Sequence, residues 1–205
     1  MSDILLHEVK GKSEIITFNN PNKLNVLSDE MLNLLFNALE KSSYNPKTKV
    51  VIIKSTGKAF CAGHDLKEMQ NARINSDDGI GYFKDLFKRC SKVMLKIKNL
   101  PKPVIAEVQG IATAAGCQLV ATCDIAIASK NASFGVNGVN IGLFCSTPMV
   151  ALSRNISRKK TFEMLVTGDF LTANDAKEAG LVNHVTEENE LSYKTNEIAQ
   201  KITEK

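Results

Sequence analysis

Two short stretches carry residue types and spacing suited to chemistry. The first is Lys58-Ala59-Phe60-Cys61-Ala62-Gly63-His64-Asp65-Leu66-Lys67-Glu68-Met69, and the second runs from Ala106 through Gly110-Ile111-Ala112-Thr113-Ala114-Ala115-Gly116-Cys117-Gln118 to Leu119. Each reads as an apolar strand that turns through Gly and Ala into a helix. Small residues at such a turn let a ligand approach the backbone closely. The first turn of a helix also offers N–H groups without internal partners, at the positive end of the dipole. Two such turns facing one another would place two N–H groups on one oxygen and stabilise negative charge developing there. Taken by composition alone, small residues at helix starts also serve helix–sheet packing.

Other reactive side chains are scattered. Cys61, Cys90, Cys117, Cys123 and Cys145 form an odd set with no CxxC pair, and His7, His64 and His184 lie far apart, so spacing predicts free thiols and no metal site. His64 adjoins the first turn and titrates near pH 6.5 when unperturbed. Cys145, followed by Ser146 and Thr147, would need a base within reach to act as a nucleophile, and a buried inert thiol is the simpler reading.

The elements that must position these residues read as alternating strands and helices. Ile4–Val9 and Glu14–Phe18 pair through Lys10-Gly11-Lys12, and Ser28 caps a helix whose stripe is Met31, Leu35, Ala38 and Leu39. Strands follow at Lys49–Lys54, Val104–Val108 and Asp124–Ala128. A long helix covers Gly81–Ile97 with Phe83, Leu86, Phe87, Val93, Met94 and Ile97 inward, and a small-residue helix covers Ala114–Thr122. Further helices are expected at Pro148–Arg154, Lys159–Thr167, Ala173–Ala179 and Glu190–Lys205, stopped by Gly168 and Gly180. The pattern predicts an α/β fold with parallel pairing, in one domain over residues 1–205.

Composition narrows the function classes. Charged residues make up 23% of the 205 and hydrophobic ones 43%, so the chain can build an ordinary core. Net charge is +4, dispersed along Lys84, Lys88, Arg89, Lys92, Lys96 and Lys98 and a knot at Arg158-Lys159-Lys160, which reads as solvated surface. With no Trp, 6% aromatics and no recognition motif, nucleic acid is not an expected partner. No apolar run approaches the roughly 20 residues of a membrane span, so no membrane partner is expected. The start MSDILLHEV has neither the basic end and apolar middle of a signal peptide nor an Arg-rich transit pattern. Together with the free thiols this predicts a cytoplasmic location.

At the two junctions, and along nearly the whole chain from about residue 4 to 202, the sequence resembles the crotonase superfamily of enoyl-CoA hydratases and isomerases. The resemblance is carried by Asn20-Pro21-Asn22-Lys23-Leu24-Asn25-Val26-Leu27-Ser28, Phe60–Leu66, Gly110–Ala112 through Cys123-Asp124-Ile125, Thr167-Gly168-Asp169, Ala173–Ala176 and Ala179–Val182. It implies a spiral of ββα units and an acyl-CoA thioester as substrate, with coenzyme A part of that substrate and no separate cofactor. It further implies a thioester oxygen held by the N–H groups of His64 and Ala115, with Gly116 the alternative second donor. Lys23, Leu24, Val26, Ala62, Asp65, Leu66 and Lys67 would line the adenine and pantetheine path, while Asn137 and Cys145 would face the acyl end. The usual assembly would be a homotrimer or a dimer of trimers, although the chain stops before the C-terminal helices of relatives. Hydratases of the family move protons with two glutamates, and here those positions are Gln118 and Gly138, neither of which can accept a proton. The resemblance therefore implies enolate stabilisation with ordinary hydration in question, the alternative being a non-catalytic acyl-CoA-binding or regulatory subunit. A Ser-His-Asp hydrolase on the same scaffold would need Ser at the second helix start, where Ala115-Gly116-Cys117 stands.

Overall fold

A computed structural model describes residues 4–205. The chain opens with a hairpin of β1 (Leu5–Lys10) and β2 (Ser13–Phe18), antiparallel with Leu5 opposite Phe18. A single 3-10 turn at Pro21–Lys23 leads to α1 (Asp29–Tyr44), whose Ser28 cap accepts a hydrogen bond from the Met31 N–H at 3.1 Å. Next come β3 (Val50–Ser55), β4 (Ala59–Cys61), α2 (Leu66–Ala72) and α3 (Ile80–Lys98). They are followed by β5 (Val104–Val108), β6 (Ile111–Thr113), α4 (Ala115–Thr122), β7 (Ile125–Ser129) and β8 (Ser133–Gly135). A 3-10 turn at Asn137–Ile141 precedes α5 (Ser146–Leu152), α6 (Arg158–Thr167), β9 (Leu171–Thr172), α7 (Ala173–Glu178), β10 (His184–Thr186) and α8 (Leu191–Thr203).

The strands sort into two sheets, ordered β1-β2-β3-β5-β7-β10 and β4-β6-β8-β9. The pairs β3/β4, β5/β6 and β7/β8 each send their first strand to the large sheet and their second to the small one. Each such pair is followed by helix, so the chain climbs both sheets together as a spiral of ββα steps. All pairings are parallel except β1–β2 and β8–β9. The apolar run Val50–Ile53 of β3 follows from burial of both faces of the large sheet. Val51 and Ile53 enter the main core with Leu35, Leu39 and Leu119, while Val50 and Ile52 pack with Ile105, Ile127, Leu191 and Ala199 beneath α8.

One expectation changes. The buried stripe of α3 is Leu86, Cys90, Val93, Met94 and Ile97, which leaves Phe83 half-buried and Phe87 exposed rather than inward. Phe87 lies about 100° around the helix from Leu86, off the stripe that faces the core. The three-residue strands β4, β6 and β8 are sheet-forming although too short to show a period.

A polar cluster ties the hairpin to α1. The Glu14 carboxylate, 1% exposed, accepts hydrogen bonds from Ser42 Oγ, Thr48 Oγ1, Asn45 Nδ2 at 2.9 Å and His7 Nε2 at 2.8 Å. Lys102 Nζ lies 3.8 Å from it and donates to the carbonyls of Ser42 and Asn45 at the end of α1. Burial pulls the Glu14 pKa up, but the hydrogen bonds from Ser42, Thr48, His7 and Asn45 outweigh it and hold the group below the usual carboxylate value. The group therefore contributes stability that is complete above its unfolded value of about 4.3 and is lost as pH falls through the folded one. Glu14→Ala is expected to lower the unfolding free energy by about 3 kcal/mol at neutral pH, because Lys102 keeps a buried charge without its partner. Urea titrations at pH 7 and pH 4 should show a smaller deficit at the lower pH.

Candidate functional site

Both junctions leave the same end of the small sheet. Strands β4 and β6 pair in parallel, with Ala59 beside Ile111 and Cys61 beside Ala112, so the turns that follow them are neighbours. The approach is close enough to require glycine. A methyl group at Gly63 would sit 3.0 Å from Ala114 Cβ and 3.4 Å from the Ala115 nitrogen, and one at Gly116 would sit 2.2 Å from the Cys61 carbonyl oxygen. Gly63 also has φ +90°, in the left-handed region.

The amides at these turns have defined surroundings. Ala115 is the first residue of α4, so its N–H has no acceptor within the helix. It is aimed by Ala114, which adopts φ 50°, ψ −120°, a conformation that costs a non-glycine residue on the order of 1–3 kcal/mol. At the first turn the Leu27 N–H donates to the Gly63 carbonyl at 2.7 Å, in an isolated parallel bridge between Leu27 and His64. That bridge engages the peptide groups flanking His64 rather than its own N–H. Asp65 caps α2, its carboxylate accepting from the N–H groups of Lys67 at 2.9 Å and Glu68 at 3.4 Å. Glu68 in turn accepts from the Asp29 N–H at 2.9 Å, and burial, with Asp29 and Asp65 nearby, raises its pKa.

The loop before α1 lies along the first turn, with the Ala62 N–H donating to the Leu24 carbonyl at 3.1 Å. Lys23, Leu24, Leu66 and Lys67 are exposed, Val26 and Ala62 half-buried, and Asp65 buried. The organising residue is Asn25, which the sequence reading passed over. Fully buried, it accepts from the Asn20 N–H and donates to the carbonyls of Thr56 and Ala59, each at 2.8 Å. Leu24 and Asn25 both have φ near +50°, and an Asn inside a Pro-Asn-Lys-Leu-Asn turn was the available signal.

On the other side stand Gln118, Asn137, Gly138 and Cys145. Gln118 is buried one turn along α4 from Ala115, and its Oε1 is buried with no hydrogen-bond partner. Asn137 is held by Thr113, whose hydroxyl donates to its Oδ1 at 2.6 Å. Gly138 has no space for a side chain: a methyl group there would meet the Leu143 carbonyl oxygen at 2.6 Å and Cys145 Sγ at 2.8 Å. Burial raises the Cys145 pKa despite the Gly138 amide beside its sulfur, and it pushes Cys117 up to about 12 with Cys145 adding to the shift. Both therefore carry protonated thiols. His64 sits edge-on to Phe87 with ring centroids 5.9 Å apart, and its Nδ1 is buried without a partner. Burial holds the imidazole below its usual value, Arg89 adding to the effect and the Leu27 carbonyl and Asp29 opposing it. Among the described residues no hydrogen bond joins Cys145 to His64, so the structure does not assemble a thiol–imidazole pair. Nor do three of His, Cys, Asp or Glu gather among them where a metal ion could be held.

A sequence model of the enoyl-CoA hydratase/isomerase family matches residues 11–205. The chain is 48% identical over 187 residues to the human (Homo sapiens) mitochondrial enoyl-CoA hydratase domain-containing protein 3, covering 91% of this chain and 60% of the relative. The mouse (Mus musculus) counterpart is 46% identical over 188 residues, covering 92% and 61%. The chain thus spans about three-fifths of the length of these relatives. The crystal structure of a Mycobacterium smegmatis enoyl-CoA hydratase superposes with a TM-score of 0.92 at 48% identity, over 98% of this chain and 77% of that one. That of the human domain-containing protein 3 gives 0.91 at 45%, over 97% and 77%. The relatives are named as mitochondrial, which overturns the expectation of a cytoplasmic location. Free thiols mark a reducing compartment without saying which one.

The contact between the two turns can be tested by its sign. Inside a helix, Gly→Ala ordinarily gains up to about 1 kcal/mol. Gly116→Ala is expected instead to lose about 3 kcal/mol, since its methyl meets a backbone carbonyl that cannot rotate away. Gly81→Ala in α3 meets only the flexible end of Asp77 and should be neutral or slightly stabilising, both read from urea midpoints.

Proposed function

Because the chain belongs to the enoyl-CoA hydratase/isomerase family and shares the fold of its crotonase members, we propose that it binds an acyl-CoA thioester with the carbonyl oxygen between the N–H groups of His64 and Ala115. The observation that carries this reading is the packing of Gly63 against Ala114 and the Ala115 nitrogen, which brings the two turns together. Two amides aimed at one oxygen favour the state in which that oxygen gains negative charge, so the activity is polarisation of a thioester toward its enolate. Gly116, next along α4, is the alternative second donor. Lys23 and Lys67, exposed on either side of the first turn, suit the phosphates of coenzyme A as point charges. Leu24, Val26, Ala62 and Leu66 suit the pantetheine, with Asp65 holding the turn from beneath. Asn137 and Cys145 stand at the acyl end. Coenzyme A is then part of the substrate, and no other cofactor enters. A homotrimer or a dimer of trimers is the assembly we propose, and exposed Leu143, Phe144, Phe162 and Val166 offer apolar surface for it.

The same residues argue against ordinary hydration. Adding water across a double bond requires groups that accept and return a proton, and the amide of Gln118 does neither. Gly138 has no side chain, and the Leu143 carbonyl and Cys145 fill the space one would need. A second reading, a non-catalytic acyl-CoA-binding or regulatory subunit, is favoured by those same two positions.

Binding to the native state alone must raise the melting temperature, by an amount equivalent to about 2.7 kcal/mol at one hundred times Kd. Butyryl-CoA is expected to do so, and Lys23→Ala with Lys67→Ala to weaken the effect most at low salt. No shift at millimolar butyryl-CoA would remove the reading. Crotonyl-CoA should keep its conjugated double bond at the buffer rate, and the double variant Gln118→Glu, Gly138→Glu should not restore hydration because the second carboxylate has no room.

A further inference from the structure

The cations of α3 divide into those that are paired and those that are not. Arg89 donates to Asp85 at 2.5 Å and to Asp29 at 2.8 Å, and Lys96 pairs with Glu40. Asp85 is the one acid of the helix, so its charge is answered within α3. Lys84, Lys88, Lys92 and Lys98 are exposed, and no salt bridge or hydrogen bond engages any of them among the described residues. Asp77, just before the helix, offsets part of the charge of Lys84 alone. The chain has 26 cations and 22 acids, so its whole net charge of +4 is matched by the four lysines of this face.

Helical spacing gathers them. Lys84, Lys88, Ser91, Leu95 and Lys98 follow at steps of four and three, a stripe about 21 Å long with Lys92 on its flank. Two large apolar side chains stand among these charges, Leu95 at 55% exposure and Phe87 at 41%. Beside the stripe a groove of about 310 Å³ opens between α1 and α3, lined by Leu32, Phe36 and Val93 as well as Lys92. A nucleic acid rewards guanidinium forks and stacking rings. Here the only arginine of the helix is already paired. Flexible lysines interleaved with apolar side chains suit a fluid anionic surface instead: the ammonium groups reach headgroup phosphates while the apolar groups enter the boundary beneath. No helix among the described residues is long and apolar enough to cross a membrane, so the contact is with one leaflet only.

We infer that α3 docks the protein on an anionic phospholipid bilayer, lying along the surface on the stripe from Lys84 to Lys98. The Phe87 ring stands edge-on to His64, so the docked face sets the first turn next to the bilayer.

Sedimentation of the 205-residue chain with unilamellar vesicles tests this. Binding is expected to equal parts of phosphatidylcholine and phosphatidylglycerol but not to phosphatidylcholine alone, and it should weaken from low salt to about 0.15 M. Each lysine is worth roughly fivefold near such a surface, so Lys88→Gln, Lys92→Gln and Lys98→Gln together should cost about a hundredfold. Their melting temperature should not move, because Gln and Lys have similar helix propensity. Leu95→Ala should weaken binding severalfold at either salt. The matched variant Lys130→Gln, Lys194→Gln, Lys201→Gln removes as much charge from elsewhere and should bind nearly as well as the wild type. Failure to sediment with the anionic vesicles at low salt would overturn the inference, as would an equal loss in the matched variant. Vesicle binding indifferent to Leu95→Ala, beside equally tight binding of a single-stranded oligonucleotide, would overturn it in favour of a general polyanion surface.

Discussion

The contact of backbone against backbone between the second turn and strand β4 governs this structure. Gly110 and Gly116 bracket β6 and the start of α4, and methyl groups on them would lie 2.1 Å from the Lys58 carbonyl oxygen and 2.2 Å from that of Cys61. No side chain, however small, fits at either place. The second turn is thereby clamped along β4, and the first turn, which continues β4, lands beside Ala115. The strain stored at Ala114 and the left-handed φ of Gly63 follow from that clamp, since both turns must bend sharply to clear one another. Ladder hydrogen bonds of the short strands alone would not hold such geometry, because β4 and β6 have three residues each.

Two buried polar groups show opposite uses of the same physics. Glu14 lies in a cage that answers each of its oxygens, and the charge is held by hydrogen bonds and Lys102. It knots β2 to α1. Gln118 is buried to a similar degree, yet its oxygen finds no partner. A group that folding leaves unanswered at the edge of a site is available to whatever binds there. The side chains on the α4 side of the turns are uncharged: Gln118 and Asn137 are amides and the Cys145 thiol stays protonated, while Asp65 and Glu68 are engaged at the starts of α2 and α1. Charge that develops on a bound oxygen would thus meet donors and little opposing charge, which suits enolate stabilisation better than proton traffic.

Much of the framework was legible in the sequence. The Ser28 cap, the strands at 50–55 and 104–108 and the ends of the helices near Gly168 and Gly180 stand close to where pattern placed them. Phe87 was misplaced because an amphipathic stripe read from residue type alone takes in every aromatic near its edge, and the ring turned instead toward His64. Asn25 was missed because its Pro-Asn-Lys-Leu-Asn turn marks the bend without marking which of its two Asn residues is buried. Its three hydrogen bonds reach residues 5 to 34 positions away.

By itself the sequence determined the α/β alternation, the neutral residues at 118 and 138 and the small residues at both turns, because these are matters of residue type and near spacing. The tertiary structure decided that those turns meet, that Gly138 has no room for a side chain, and that no hydrogen bond joins Cys145 to His64 among the described residues. These are contacts between segments tens of residues distant, set by which strands share a sheet, and no local period in the chain records them.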